Sequence, residues 1–421
     1  MSRFEGDSRR HPVITGLGVL SPLGVGTASF WKGLVHGRSG IRRLTCFDAA
    51  TVAPECRIGA EILDFRATDW MEARVARASG RFSQFAAAST RMALADSGLN
   101  TRALTASRTM VSFGTSMNGL VDVLLPELQR FLGGQGAAPW TAREYPGHMA
   151  TTHAAREAGA TGAWATMSTA CAAGLDAIAW GAERIRDGSA SVVVAGGTET
   201  PLSPITLEGF RLFGLLAKWD GNPSEASRPF DGLRSGLVVG EGAAAVIIED
   251  ERHARARGAS LYARISASSS GAEGCATNQI EMSGECLARC ITETLERCGR
   301  AAHDVDYICA HGNGIPSHDA AETAGIKRAL GDHAYSVPVS SIKSMCGQAF
   351  AASSAMQVAA TCLALRDGVV PPTINYTKPD PLCDLDYVPN AARTARIRTA
   401  LVHARSIGGS HTTMLLEAPA R

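Results

Sequence analysis

Ser191-Val192-Val193-Val194-Ala195-Gly196-Gly197 is an uninterrupted apolar run, the pattern of a strand covered on both faces. It follows a stretch rich in small residues, which runs from about Cys171 with helical spacing and ends at Arg186-Asp187-Gly188. The same order recurs later in the chain. A small-residue helix from about Gln348 ends at Arg366-Asp367-Gly368, and a strand signal follows it. The repeat predicts two similar halves, residues 1–255 and 256–421, meeting near residue 255. No linker-like stretch separates them, so they are expected to pack as one body.

Outward from this pair the chain alternates short apolar runs with helical patterns. Pro12–Val19 predicts a first strand ending in glycine turns. Phe82–Leu94 has helical spacing and stops at Asp96-Ser97-Gly98. Further strands are expected at Thr109–Gly114 and Ala244–Glu249. A second series starts at Leu261–Ser266 and continues through Tyr307–Ala310 to Thr413–Leu416. Strands alternating with helices make an α/β protein with largely buried sheets.

Composition narrows the class of function. The 421 residues carry 41 basic and 40 acidic side chains, a net +1, which argues against retention on nucleic acid by bulk charge. With 45% hydrophobic residues and 44 Gly, the chain is neither disordered nor fibrous. It lacks an apolar run long enough to span a bilayer, so no membrane association is expected. Met1–His11 is polar, with Arg3, Arg9 and Arg10, and reads as a frayed leader rather than a secretory signal. Eleven scattered Cys in such a chain predict free thiols in a reducing cytoplasm.

Four segments could carry chemistry. In Ser168-Thr169-Ala170-Cys171-Ala172-Ala173-Gly174 the sulfur falls at a helix N-terminus, where the dipole and free N–H groups favour a thiolate. The alternative is an inert buried thiol. In Ala310-His311-Gly312-Asn313-Gly314-Ile315-Pro316 a His ends a strand beside two glycines, placed either to enter a cavity or to satisfy the core. His318, Asp319 and Glu322 follow, but without the spacing of a zinc helix, so no metal is expected. Lys343 stands in the small, apolar stretch Ser340–Ala352 and needs a carboxylate partner. Ser406-Ile407-Gly408-Gly409-Ser410-His411 suits a tight turn that brings backbone N–H groups to a ligand. Cys286, Cys290 and Cys298 read as helix-core thiols.

At these segments the sequence resembles the β-ketoacyl-carrier-protein synthases (ketosynthases) of the thiolase superfamily, in the branch that elongates fatty acids and type II polyketides. The likeness covers nearly the whole chain. It includes Val13–Gly24, Gly37-Arg38-Ser39-Gly40-Ile41, Arg228–Gly236 and Gly240-Glu241-Gly242-Ala243. It implies a thiolase-like fold, a duplicated α/β/α/β/α layered sandwich, and a homodimer. It also implies an acyl or peptidyl carrier protein as partner, whose phosphopantetheine carries the substrate, with no bound cofactor.

By position, the resemblance makes Cys171 the acyl-accepting nucleophile and His311 the first active-site His. Lys343 becomes the supporting Lys and Glu322 its acidic partner. The oxyanion hole is expected from the N–H groups of Cys171 and Arg405, with Arg405 at the gate. Asn313, Ile315, Leu237, Gly408 and Gly409 fall at substrate- or pantetheine-binding positions. The second family His is Gln348 here, giving a Cys-His-Gln set. Gln donates an N–H but cannot become a cation at neutral pH. Arg405 replaces an aromatic gate, Asn313 and Ile315 replace threonines, and His411 replaces an Asn.

The resemblance therefore implies an acyltransferase that captures a carrier-bound acyl group on Cys171 and forms a C–C bond or transfers the acyl group, in specialised polyketide or natural-product biosynthesis. A cyclase or releasing enzyme that needs no malonyl decarboxylation is the alternative. A chain-length-factor-like partner is a third reading, against which the retained Cys171 counts.

Overall fold

The computed structural model describes residues 10–99, 108–276 and 279–419. Most of the expected leader, residues 1–9, lies outside the described residues. The main sheet holds ten strands in line: β1 (Pro12–Ser21), β2 (Thr109–Gly114), β3 (Trp164–Met167), β4 (Val192–Glu199), β5 (Gly242–Asp250), β6 (Ala263–Ala272), β7 (Tyr307–Cys309), β8 (Val339–Ser340), β9 (Thr399–Arg405) and β10 (Ser410–Glu417). Their order is β8-β7-β9-β10-β6-β1-β5-β4-β2-β3.

This order repeats the same pairing twice. β1 is antiparallel to β5, β5 to β4, and β4 is parallel to β2, which is parallel to β3. Likewise β6 is antiparallel to β10, β10 to β9, and β9 is parallel to β7, which is parallel to β8. The two sets join where β1 meets β6.

Helices α1 (Arg81–Ser97) and α2 (His148–Ala158) cover the outer face of the first set. Helices α4 (Glu285–Arg297) and α5 (Pro316–Leu330) cover that of the second. Between the sets lie α3 (Ala173–Arg186) and α6 (Phe350–Asp367), packed on each other. The result is the five-layer α/β/α/β/α sandwich. Every residue of α6 from Phe350 to Leu365 is buried, which is why its apolar residues show no single face. Among the described residues, no helix is long and apolar enough to cross a membrane.

Glycine sets how closely these layers approach. A Cβ on Gly174 of α3 would lie 2.3 Å from the Ala351 carbonyl oxygen of α6. The first strand does not end in glycine turns as its sequence suggested. Gly16 and Gly18 stay inside β1, where a Cβ would meet the α1 carbonyl oxygens of Ala93 at 2.2 Å and Ser89 at 2.0 Å. They are packing glycines. Cys286 and Cys290 are buried free thiols on α4, and Cys298 follows its end.

Candidate active site

The chain leaves β3, passes Ala170 at φ 52°, makes one 3-10 turn over Ala170–Ala172 and enters α3. A left-handed Ala costs roughly 1 kcal/mol and needs support from its surroundings. Ser406 supplies it by accepting the Ala172 N–H at 3.1 Å and donating to the Thr169 carbonyl. Cys171 is thereby held in a buried apolar cluster with Leu207, Leu216, Leu237, Ile315 and Phe350.

The thiolate expected from the helix N-terminus is not the resting form. Burial pushes the Cys171 thiol up to about 11, against the opposing pull of Lys343, the Gln348 side chain and the Ile407 N–H. Desolvation outweighs the dipole at this depth.

His311 follows β7. Its own N–H donates to Glu322 at 2.7 Å, and its Nδ1 accepts the Arg405 N–H at 3.2 Å. Burial, and then the charge of Lys343, hold its pKa well below the ordinary value. The ring is therefore neutral, with its proton on Nε2. Asn313 Nδ2 lies 3.3 Å from that Nε2 and 3.0 Å from His318 Nδ1, and Asn313 Oδ1 accepts the Ile315 N–H. Because Nε2 bears the proton, Asn313 Nδ2 gives its hydrogen to His318. The His311 Nε2–H is left for a ligand.

Lys343 is 1% exposed, and burial lowers its pKa to about 8. Its ammonium donates to the His311 carbonyl at 2.6 Å and to Gln357 Oε1 at 2.9 Å. Glu322 is not its ion-pair partner, contrary to expectation. That carboxylate accepts the N–H groups of His311 and Gly312, each at 2.7 Å, and faces His403 Nδ1 at 2.5 Å. Its effect on Lys343 is through charge alone.

Gln348 is 1% exposed, and its backbone is fixed by bonds to Val238 and Gly240. Neither Nε2 nor Oε1 of its side chain has a full hydrogen-bond partner. A buried amide left so costs roughly 1–3 kcal/mol unless a ligand satisfies it.

Arg405 is neither the oxyanion donor nor the gate. Its N–H is already given to His311 Nδ1, and its guanidinium is turned to Glu273 Oε1, 2.9 Å from Nε and 2.8 Å from Nη2. The N–H that meets the sulfur is that of Ile407, whose side chain stands exposed at the rim. Gly408 at φ 97° and Gly409 at φ 81° make the turn that aims it. His403, Glu273, Gln357 and Ile407 were not singled out from sequence. His403 and Arg405 do share one face of β9, an alternation visible in His403-Ala404-Arg405.

Comparison with known proteins matches residues 10–254 to the family described as "Beta-ketoacyl synthase, N-terminal domain" and residues 262–377 to its C-terminal domain. The chain is 40% identical over 422 residues, 98% of each chain, to the tetracenomycin polyketide synthase ketoacyl synthase alpha subunit of Streptomyces glaucescens. It is 36% identical to 3-oxoacyl-[acyl-carrier-protein] synthase 2 of Coxiella burnetii, over 97% of this chain and 98% of that one. A solved type II polyketide synthase acyl-carrier protein in complex with its ketosynthase, bound to the hexaketide, superposes with TM-score 0.90 at 32% identity, covering 98% of this chain and 100% of that one. The ishigamide ketosynthase/chain length factor superposes with TM-score 0.90 at 31% identity and the same coverage.

Proposed function

The chain belongs to the β-ketoacyl synthase family of the thiolase superfamily, and on that premise we propose that it is a polyketide ketosynthase that takes an acyl group from a carrier-protein thioester onto Cys171. The observation that carries this reading is that the Ile407 N–H, the Gln348 amide and the charge of Lys343 converge on the buried Cys171 sulfur, with a neutral His311 bound to Lys343 through its carbonyl. The Cys171 thiol gives up its proton as the carrier thioester reacts, and that proton goes to the carrier's departing sulfur. The Cys171 sulfur attacks the thioester carbon, and the N–H groups of Cys171 and Ile407 hold the developing oxyanion. The carrier's thiolate leaves and takes a proton. His311 Nε2–H then donates to the carbonyl of the second substrate, whose nucleophilic atom attacks the Cys171 thioester carbon. For a C–C bond that atom is the carbon left when malonyl releases carbon dioxide. The C–S bond breaks, and the Cys171 sulfur leaves as thiolate and is reprotonated.

Gln348 supports a second reading, cyclisation or release of a carrier-bound chain. An amide donates to a carbonyl but carries no charge, so it serves thioester attack better than the enolate left by malonyl decarboxylation. A chain-length-factor role fits less well with a retained nucleophile whose sulfur meets the Ile407 N–H. The protein works with an acyl or peptidyl carrier protein in the cytoplasm, binds no cofactor of its own, and pairs as a homodimer. Edge strand β3, with Trp164 half exposed, supports the pairing.

Intact-mass analysis after incubation with acyl-carrier thioesters tests the reading. A single acyl adduct is expected on wild type and none on Cys171→Ala. An adduct that survives Cys171→Ala would sink the assignment.

A further inference from the structure

Behind His311 four buried side chains run in a line whose protons can be counted. Glu322 Oε1 lies 2.5 Å from His403 Nδ1. His403 Nε2 lies 3.1 Å from His411 Nδ1, and His411 Nε2 lies 2.7 Å from Glu273 Oε1. The four side chains are 2%, 3%, 6% and 2% exposed in that order. The two ring planes differ by 11°, with centroids 5.3 Å apart, so the N···N contact is made end to end in the plane of both rings. That is the geometry of a hydrogen bond.

Each of the three contacts needs one proton. Both carboxyls are held below their ordinary range. Burial works to raise Glu322, but His403 and the N–H groups of Gly312 and His311 outweigh it. In Glu273, likewise, burial is outweighed by His411, the Glu281 N–H and Arg405, which hold it at about 2. Both are therefore acceptors only, and the protons must sit on the imidazoles. Two neutral imidazoles carry two, and three are required.

We propose that His403 and His411 share one excess proton, a buried imidazolium spread over the pair, and that they are positioning residues for His311. The second part rests on the reading of His311 as a neutral Nε2–H donor. The groups facing the pair are Glu322 from α5, Glu273 after β6, Arg405 on β9, the neutral rings of His311 and His318, and Lys343 beyond His311. Taken as a single site, His411 has its pKa lowered, because burial and the neighbouring cations outweigh Glu273. It is the sharing of the proton with His403, between two carboxylates, that holds it against that pressure. The His403 ring centroid is 6.2 Å from that of His311. A cation there resists a second proton on His311. Glu273, by pinning Arg405, keeps the Arg405 N–H on His311 Nδ1. When the pair loses its proton, one of the three contacts sets two lone pairs against each other and the line opens.

The test is the ring ¹⁵N spectrum of the full-length protein labelled in histidine, with the resonances of the pair assigned by their loss in His403→Asn and His411→Asn. Three protonated ring nitrogens among the four are expected at pH 7. Glu273→Gln should leave two, because the carboxamide N–H can donate to His411 Nε2. Two protonated nitrogens in wild type at pH 7 would overturn the proposal. The wild-type count needs no variant beyond the assignment and no turnover, so it stands or falls separately from acyl loading of Cys171. For the positioning role, the alkaline limb of the acyl-transfer pH profile should move to lower pH in Glu273→Gln. A uniform loss of rate with an unmoved limb would reduce the pair to packing.

Discussion

The backbone N–H of Arg405 donates to Nδ1 of His311 across 3.2 Å, joining the end of β9 to the end of β7. One bond thereby settles two matters: His311 carries its proton on Nε2, and Arg405 has no N–H left for an oxyanion. The N–H that meets the Cys171 sulfur, and that the proposed mechanism uses for the oxyanion, is that of Ile407, two residues on.

Cys171 should behave as a slow thiol made faster by base. With its pKa at about 11, the thiolate fraction rises close to tenfold per pH unit around neutrality. Lys343, at about 8, loses its charge over the same range and so withdraws part of the support for the thiolate. The alkylation rate at Cys171, read by peptide mapping between pH 6 and 10, should climb less steeply above pH 8 than below it. Lys343→Met should be slower than wild type at pH 7 and show no such break.

Replacing Gln348 by His should favour malonyl decarboxylation. A lost oxyanion donor costs about 10²–10³ in rate, and an amide recovers only part of that. Carbon dioxide release from malonyl-carrier protein by Gln348→His should exceed wild type by about tenfold or more. Wild-type release as fast as that of an ordinary elongating ketosynthase would refute the proposed remodelling.

Arg405→Met should leave the buried Glu273 carboxylate short of its cation. Breaking such a pair from one side costs about 3–5 kcal/mol. Glu273 has a depressed folded-state pKa. Its contribution is therefore fully present above the unfolded value of roughly 4.3 and is lost as pH falls through about 2. In Arg405→Met the carboxyl protonates more readily, so the penalty in urea unfolding should be smaller at pH 4.5 than at pH 7. Adding Glu273→Gln should restore part of the loss at pH 7.

Gly174→Ala should destabilise without touching a reacting group. The new methyl would meet the Ala351 carbonyl at 2.3 Å, backbone that cannot rotate away. Overpacking of this kind costs about 1–3 kcal/mol. Thermal unfolding should show the loss, and Gly209→Ala, with open space around it, should not.

The layers were legible because strands and helices leave periodic traces. β4 is the run at Ser191–Gly197, shifted to Val192–Glu199, and α3 and α6 end where their Arg-Asp-Gly signals stand. β3 and β9 left weaker traces, since β3 has only four residues and both mix small or polar residues among apolar ones. At the site, Cys171, His311 and Lys343 were visible as unusual residues in small-residue settings, and Gln348 through the resemblance, as the residue at the second family His. Their partners were not. The family resemblance matched Glu322 to Lys343, whereas the fold gives that carboxylate to two backbone N–H groups and to His403. Which N–H of the glycine turn meets the sulfur depends on the φ angles of Gly408 and Gly409, which composition does not reveal.

The left-handed Ala170 has a counterpart. Phe350 stands at φ 39° at the start of α6 and, like Ala170, is the residue after an N-cap near φ −100°. The spacing is 180 residues, the same that separates Arg186-Asp187-Gly188 from Arg366-Asp367-Gly368. The molecule is thus built about an approximate two-fold axis between α3 and α6, and Ala351 occupies the place that mirrors Cys171. Chemistry here is a broken symmetry. One copy of the bend holds a sulfur, while the other holds a methyl group and lends its carbonyl as a surface for Gly174.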